Sequence, residues 1–80
     1  MRATIFVRLK RDVLDPEGDA IAEALARTGA SGIESVRVGK VFEIEVAGRT
    51  RQGVVRELEK MAQELLANPV TEDFEIRIDD

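Results

Sequence analysis

The spacing of apolar residues is the feature that most constrains the fold, because its period changes along the 80-residue chain. From Ala3 to Lys10 apolar and polar side chains alternate, which predicts a half-buried strand. A helical stripe then runs from Val54 to Leu66, with Thr50 as its predicted N-cap and Asn68, which precedes a proline, as its predicted end. Alternation returns between Phe74 and Ile78 and predicts a closing strand.

A first helix is predicted directly after the first strand. Asp15 can cap free backbone N–H groups, and Pro16 suits the first helical position because its missing N–H has no partner there. Gly29 is predicted to end this helix in the left-handed conformation. Gly18 in the first turn costs about 1 kcal/mol of helix propensity relative to alanine. We therefore expect another backbone to approach it closely.

The middle of the chain predicts two strands, 33–38 and 41–46. Gly39 and Lys40 between them fit a tight hairpin, because glycine supplies the positive φ that the favoured turns require. One long bent strand with a glycine bulge fits the same pattern, and the sequence does not decide between the two.

The predicted order of elements is β-α-β-β-α-β over a single domain, residues 1–80. Right-handed crossovers then give an α+β fold of two layers, a ferredoxin-like plait with a four-stranded antiparallel sheet and two helices on one face. The opposite face of that sheet needs a cover, and a second copy of the chain is the simplest one. We expect the chain to oligomerise through the sheet, with Phe6 and Phe42 as candidates for self-association.

Composition excludes much of the usual chemistry. The chain has no cysteine and no histidine, which removes thiolate nucleophiles, disulfides and the common imidazole base. With 12 Lys+Arg against 16 Asp+Glu, the net charge of −4 argues against nucleic acid as a partner. Glu72, Asp73 and Glu75 are close in sequence, but alternation along a strand sends neighbours to opposite faces. We predict no catalytic residue, no metal and no cofactor bound by this chain.

The N-terminal segment is too interrupted by charge to be a signal peptide, and no apolar run approaches the roughly 20 residues that span a bilayer. We therefore expect a cytoplasmic protein with no membrane partner.

Two activities known for plaits fit poorly. A hydrolase of acyl phosphates needs a phosphate-binding loop after the first strand, where Asp12 and Asp15 would repel the anion. An RNA-binding plait stacks bases on aromatic side chains of the sheet, and this chain has three phenylalanines with no tyrosine or tryptophan. The pattern favours a non-catalytic assembly subunit. The alternative is a stand-alone plait that binds a small regulatory metabolite, and a minor hydrolase is a third possibility.

Three short stretches are left that core packing does not fully explain: Lys10 with Asp15-Pro16-x-Gly18, Arg37-x-Gly39-Lys40 and Leu65-Leu66-Ala67-Asn68-Pro69-Val70. They lie within the longer blocks Val7-x-Leu9-Lys10-x-x-Val13-Leu14-Asp15-Pro16-x-Gly18, Val36-Arg37-x-Gly39-Lys40-x-Phe42-Glu43 and Leu65-Leu66-Ala67-Asn68-Pro69-Val70-x-Glu72-x-Phe74. In this order and spacing they resemble PurS, the small subunit of multi-subunit phosphoribosylformylglycinamidine synthase, over essentially the whole chain. Glu17 departs from the family, which more often has glutamine there, but an acidic residue suits the first turn of a helix.

The resemblance implies a place in purine biosynthesis. The complex of that family converts formylglycinamide ribonucleotide, glutamine and ATP into formylglycinamidine ribonucleotide. PurS-like chains form a homo-oligomer, a dimer or a dimer of dimers, and bridge a glutaminase subunit and a large synthetase subunit, aiding ammonia transfer. ATP and Mg are implied for the complex and not for this chain.

The family blocks also supply candidate contacts with the partner subunits. These residues are Lys10, Asp15, Pro16, Gly18, Arg37, Gly39, Lys40, Asn68, Pro69 and Glu72. Alone, each has a plain structural explanation as a cap, a turn residue, a helix stop or a solvated charge.

Overall fold

The computed structural model describes residues 1–47 and 50–79 of the chain. In chain order its elements are β1 (Arg2–Leu9), α1 (Pro16–Arg27), β2 (Gly39–Glu45), α2 (Arg51–Met61), a π-helical turn (Ala62–Leu66) and β3 (Glu72–Asp79). An α+β fold with an antiparallel sheet and two helices is therefore confirmed.

The sheet has the order β2-β1-β3, and β1 is antiparallel to both neighbours. Ile5 at its centre lies opposite Phe42 on one side and Ile76 on the other. Because side chains alternate along a strand, every second residue of β1 points to the same face. The core lies on that face and consists of Ala3, Ile5, Val7, Val54, Leu58, Ala62 and Ala67.

The second helix begins where the sequence predicts. The hydroxyl of Thr50 accepts a hydrogen bond from the backbone N–H of Gly53 at 3.2 Å, which satisfies one free donor of the first turn. At the other end the π-helical turn closes with a hydrogen bond from the N–H of Ala67 to the carbonyl of Ala62 at 2.9 Å. Asn68 follows outside the helix, so its predicted end is confirmed.

The first helix also has its predicted ends. Asp15 is the N-cap, and its carboxylate accepts a hydrogen bond from the N–H of Gly18 at 2.9 Å. Gly29 has a φ of +93°, the left-handed conformation that favours glycine after a helix.

The prediction of four strands in one chain is wrong. Residues 33–38 belong to no strand, and the described part of the chain forms a three-stranded sheet. The predicted hairpin is wrong as well, because Gly39 and Lys40 pair with Arg8 and Val7 of β1 instead of forming a turn. Just before them, the N–H of Val38 donates to the carboxylate of Asp15 instead of to a strand of the sheet. The alternative prediction of one long strand is closer to the structure, but only residues 39–45 of that strand are paired with β1.

The molecule is elongated, with a radius of gyration of 16.1 Å and extents of 49 × 26 × 15 Å. A compact chain of this length would have a radius of about 12 Å. We call α1 and the following residues 28–38 the arm, and the remaining elements the body. Gly18 is the only buried residue of α1, while the extensive contacts between elements all lie within the body. No helix of the described residues is long and apolar enough to cross a membrane.

Candidate functional site

The loops around the end of β1 at Leu9 hold the candidate residues. The N–H of Lys10 donates to the carbonyl of Thr71 at 2.8 Å, which fixes the loop before β3. The carbonyl of Lys10 accepts a hydrogen bond from the guanidinium of Arg37 at 2.9 Å. The backbone of one residue thus links all three stretches. We call residues 10–18, 35–40 and 68–72 together the junction.

Asp15 is the polar centre of the junction and is only 5% exposed. One carboxylate oxygen accepts from the N–H of Gly18 at 2.9 Å, and the other accepts from the N–H of Val38 at 2.7 Å. These two bonds, that from Val38 first, lower the pKa of Asp15. The carboxylate therefore joins the start of α1 to the start of β2.

Two glycines allow backbones to approach closely here. A side chain at Gly18 would overlap the carbonyl oxygen of Val36 and press against Asp15. A side chain at Gly39 would lie 2.8 Å from the carbonyl oxygen of Val7. The expectation that another backbone approaches Gly18 is confirmed, and it explains why a residue that weakens a helix stands in its first turn.

The loop before β3 is held by its own side chains. The side-chain oxygen of Asn68 accepts from the N–H of Val70 at 3.0 Å, and the carboxylate of Glu72 accepts from the N–H of Asn68 at 2.7 Å. The carbonyl of Asn68 accepts from the N–H groups of Thr71 and Glu72. Asn68, Pro69 and Glu72 therefore shape a rigid turn next to Lys10.

Cationic side chains line a cleft beside this framework. A cleft of about 630 Å³ lies between β1 and residues 35–41 and is lined by Arg8, Arg11, Arg37 and Lys40 but by no carboxylate. The side chains of Arg11 and Lys40 make no hydrogen bond or ion pair with the described residues. In a chain of net charge −4, the lining of this cleft is therefore positive, although the junction as a whole also holds the carboxylates of Asp12, Asp15, Glu17 and Glu72.

Apolar side chains stand exposed at the same end. Leu14 is 84% exposed, Val70 is 78% exposed, and Leu65 in the π-helical turn is 80% exposed. Sequence reasoning missed Leu14 and Val70 as surface residues, although an apolar side chain inside an otherwise polar loop is a usable signal.

The two phenylalanines proposed for self-association lie on opposite faces of the sheet. Phe42 is opposite Ile5, so it points to the core side and is partly buried there. Phe6 points to the other side, where Arg77 lies 4.8 Å and Arg8 lies 5.6 Å from its ring centre. Glu75 accepts from Arg77 at 2.8 Å and from Arg8 at 3.5 Å. Hydrogen bonding to Arg77 is the main reason that the pKa of Glu75 is lowered.

The structure thus brings all ten candidate contact residues to one end of β1, where the arm meets the body, and separates Phe6 from Phe42. Within residues 1–47 and 50–79 there is no group of three acidic side chains placed to hold a metal ion. The arrangement combines a hydrogen-bonded backbone with exposed apolar side chains and cations.

Comparison with known proteins identifies the family of this chain. The family model described as PurS, phosphoribosylformylglycinamidine (FGAM) synthase, matches residues 2–80. The chain belongs to the PurS family. The PurS subunit of phosphoribosylformylglycinamidine synthase from Mycobacterium leprae is 47% identical over 75 residues, which cover 94% of this chain and 91% of that subunit.

Solved structures of PurS proteins share the fold. The crystal structure of Methanocaldococcus jannaschii PurS superposes with a TM-score of 0.88 at 37% identity and covers 99% of this chain and 95% of that one. The structure of PurLQS from Thermotoga maritima contains a chain with a TM-score of 0.87 at 30% identity, covering 95% of this chain and 93% of that one. The resemblance to PurS that the three sequence stretches carry is therefore confirmed.

Proposed function

We propose that this chain is a non-catalytic assembly subunit of phosphoribosylformylglycinamidine synthase in purine biosynthesis. The observation that carries the proposal is the match over nearly its full length to PurS subunits, one of them part of the PurLQS structure. In this role the chain bridges the glutaminase and large synthetase subunits and helps to transfer ammonia between them. ATP and Mg act in the complex, in the cytoplasm, and are not held by this chain.

The junction supports a role in contact with another subunit. Its backbone is held by Asp15, Asn68 and the carbonyl of Lys10, so its surface is rigid before a partner arrives. A rigid surface loses less entropy on binding than a flexible one. It also combines exposed apolar groups, Leu14 and Val70, with the cations of the cleft, which is the mixture that interfaces use.

Self-association is the second part of the proposal. The chain forms a homo-oligomer, a dimer or a dimer of dimers, through its sheet. Both outer strands of the sheet, β2 and β3, leave backbone groups on one side without a partner strand in a single copy, and such edges pair readily with another chain.

Reconstitution tests the assembly role. The purified chain is expected to have no activity alone and to restore glutamine-dependent synthesis when added to the large and glutaminase subunits. Arg37→Ala and Lys40→Ala are each expected to raise the concentration needed for half-maximal activity about tenfold, or about 1.4 kcal/mol of binding free energy. Lys60→Ala, an exposed cation of α2 away from the junction, is the control and should change nothing.

Two results would contradict the proposal. One is turnover of a substrate by the purified chain without its partners. The other is full reconstitution by both junction variants at the concentration that the unchanged chain requires, which would remove Arg37 and Lys40 from the interface.

A further inference from the structure

The cleft beside the end of β1 opens on the face of the sheet opposite the core. Arg8 and Gly39 are directly opposite each other in the β1–β2 pair, so both lie on the face that Val7 does not occupy. A Cβ atom at Gly39 would lie 3.6 Å from the Cγ atom of Arg8. Because glycine has no side chain, the space next to Arg8 stays open.

Three arginines bring guanidinium groups to this cleft, and we call it the arginine cleft. Arg8 belongs to β1, Arg11 follows that strand, and Arg37 precedes β2. Arg37 donates to the carbonyl of Lys10 at 2.9 Å, which fixes its guanidinium beside the backbone of the residue before Arg11. A guanidinium has several N–H donors, so Arg37 keeps donors for a ligand after making this bond.

The charges of these arginines are weakly compensated. The side chain of Arg11 makes no hydrogen bond or ion pair with the described residues. Arg8 reaches Glu75 only at 3.5 Å, whereas Arg77 contacts the same carboxylate at 2.8 Å. Among the described residues, none that lines the cleft carries a carboxylate. Neighbouring cations repel one another, and an anion bound between them would relieve that repulsion.

Lys40 also lines the cleft, but its side chain belongs to the other side of the sheet. It lies opposite Val7, which is buried in the core, so alternation directs Lys40 to the core face. On that face it borders a smaller depression together with the carboxylates of Asp15, Glu17 and Glu72. The cations available to a ligand in the arginine cleft are therefore the three arginines, and Lys40 is a matched control.

The lining of the cleft fits a small molecule with a phosphate group. Guanidinium groups bind phosphate oxygens through paired N–H donors, and a cluster of them suits an anion with two charges. The hydroxyl of Ser35, an exposed lining residue, can donate as well. Phe6 and Val41 add apolar surface to the lining, and Val41 is 56% exposed. The cleft volume of about 630 Å³ is in the range of small-ligand sites.

We propose that the arginine cleft binds a phosphate monoester, with Arg8, Arg11 and Arg37 around the phosphate and the organic part against Phe6 and Val41. The assembly subunit would carry this site in addition to its contacts with partner subunits. The proposal is independent of the assembly role and of self-association, because the cleft is formed within one copy of the chain. An acidic segment of another protein is the competing occupant, and the experiment below distinguishes it.

Titration followed by amide NMR signals of the purified full chain tests the site. Phenyl phosphate and inorganic phosphate are the probes, in a buffer of about 20 mM salt so that screening is small. We expect saturable shifts of the amide signals of Arg8, Arg11 and Gly39, while those of α2 stay unchanged. Phenyl phosphate should bind about fivefold more tightly than inorganic phosphate, because its ring can contact the apolar lining.

Arg11→Gln is the first variant to measure, because Arg11 is exposed and its side chain makes no bond that the fold would lose. Loss of this cation should weaken the binding of phenyl phosphate about tenfold. Arg11→Lys keeps the charge but loses the paired donors, so its loss of affinity should be smaller. Lys40→Gln removes a neighbouring cation from the other face and should change the affinity less than about twofold.

Three results would overturn the proposal. One is the absence of saturable shifts up to about 20 mM phenyl phosphate. Another is equal weakening in Arg11→Gln and Lys40→Gln, which would mean that the anion responds only to net charge. The third is binding of tetraglutamate at these signals without binding of phenyl phosphate, which would assign the cleft to an acidic protein segment. All are measured on the chain alone, so none of them decides the reconstitution of synthase activity.

Discussion

The body and the arm are built from similar sequence patterns but are stabilised in different ways. In the body, Ile5, Val7, Val54 and Leu58 are at most 2% exposed and pack into one core. In the arm, Ile21 and Leu25 keep more than a third of their surface in water. The arm is attached to the body through Asp15, Gly18 and Arg37, and none of its residues belongs to the apolar core of the described part of the chain.

This difference shows that an amphipathic helix does not have to be covered by its own chain. Burial of apolar area stabilises the body directly. The arm depends on polar contacts at the junction. Mutations in the two regions should therefore affect different measurements.

The largest expected effect is in the core of the body. Leu58→Ala removes a buried side chain and should lower the free energy of unfolding by about 3 kcal/mol, from lost burial plus the cavity left behind. Leu25→Ala in the arm, measured by urea unfolding at a concentration where the chain is monomeric, should cost less than about 1 kcal/mol. Equal costs for the two variants would show that one copy already packs its arm.

Two glycines at equivalent helix positions compare the start of α1, where the arm joins the body, with the start of α2. Gly18 and Gly53 are both the third residue of a helix, and each donates its N–H to the N-cap side chain. Gly18→Ala should destabilise the protein by about 2 kcal/mol, because its Cβ meets the backbone oxygen of Val36. Gly53→Ala should be neutral or stabilising by up to about 1 kcal/mol, since its Cβ meets only the Thr50 hydroxyl at 3.1 Å. Thermal unfolding of both variants measures the contrast, and similar losses would contradict the close contact at Gly18.

A charge on the apolar face of the arm should act on association. Leu25→Asp is expected to weaken the dimer at least tenfold, about 1.4 kcal/mol, because an unpaired carboxylate would be desolvated there. Sedimentation over a range of concentrations measures it. Glu23→Asp, a conservative change two residues away and therefore on the opposite, exposed side of the helix, is the control. An unchanged dimer in Leu25→Asp would place the second copy elsewhere.

Acid should loosen the arm through Asp15. Because its pKa is lowered in the folded protein from an ordinary value of 3.8, the stability it contributes is complete above that value and is lost as the pH falls below it. Asp15→Asn should therefore be less stable than the unchanged chain at about pH 7, and the gap should be smaller at about pH 3. Urea unfolding at both pH values tests this, and a gap independent of pH would mean that the charge of Asp15 is unimportant.

The smallest effect is expected on the charged face of the body. Arg77 is exposed, and its contacts with Glu75 and the ring of Phe6 are open to solvent. Such exposed pairs contribute little. Arg77→Gln should leave the urea midpoint unchanged within error and should not alter sedimentation. A clear loss of the dimer in this variant would mean that the Phe6 face carries the interface.

The sequence was sufficient to predict those features of the fold that depend on one short segment of the chain. Both helices begin and end as predicted, because capping and turn chemistry involve only neighbours in sequence. They begin after Asp15 and Thr50, and they end before Gly29 and Asn68. The prediction of a hairpin at Gly39 is wrong, because this glycine forms no turn. Its missing side chain instead allows the backbone of Val7 to approach closely within the sheet. Periodicity records which residues are apolar but does not record which strand they pair with.

The candidate site shows the same division. The sequence pointed to its residues in three separated stretches. The structure shows that these stretches meet at one end of β1, where Lys10, Asp15 and Arg37 make contacts between positions far apart in sequence. By itself the sequence determined the type and ends of the helices, the family, and the absence of histidine and cysteine chemistry. Tertiary structure alone decided that the fourth strand is missing from a single copy. Pairing depends on which backbone N–H and C=O groups are still free once the other strands are in place.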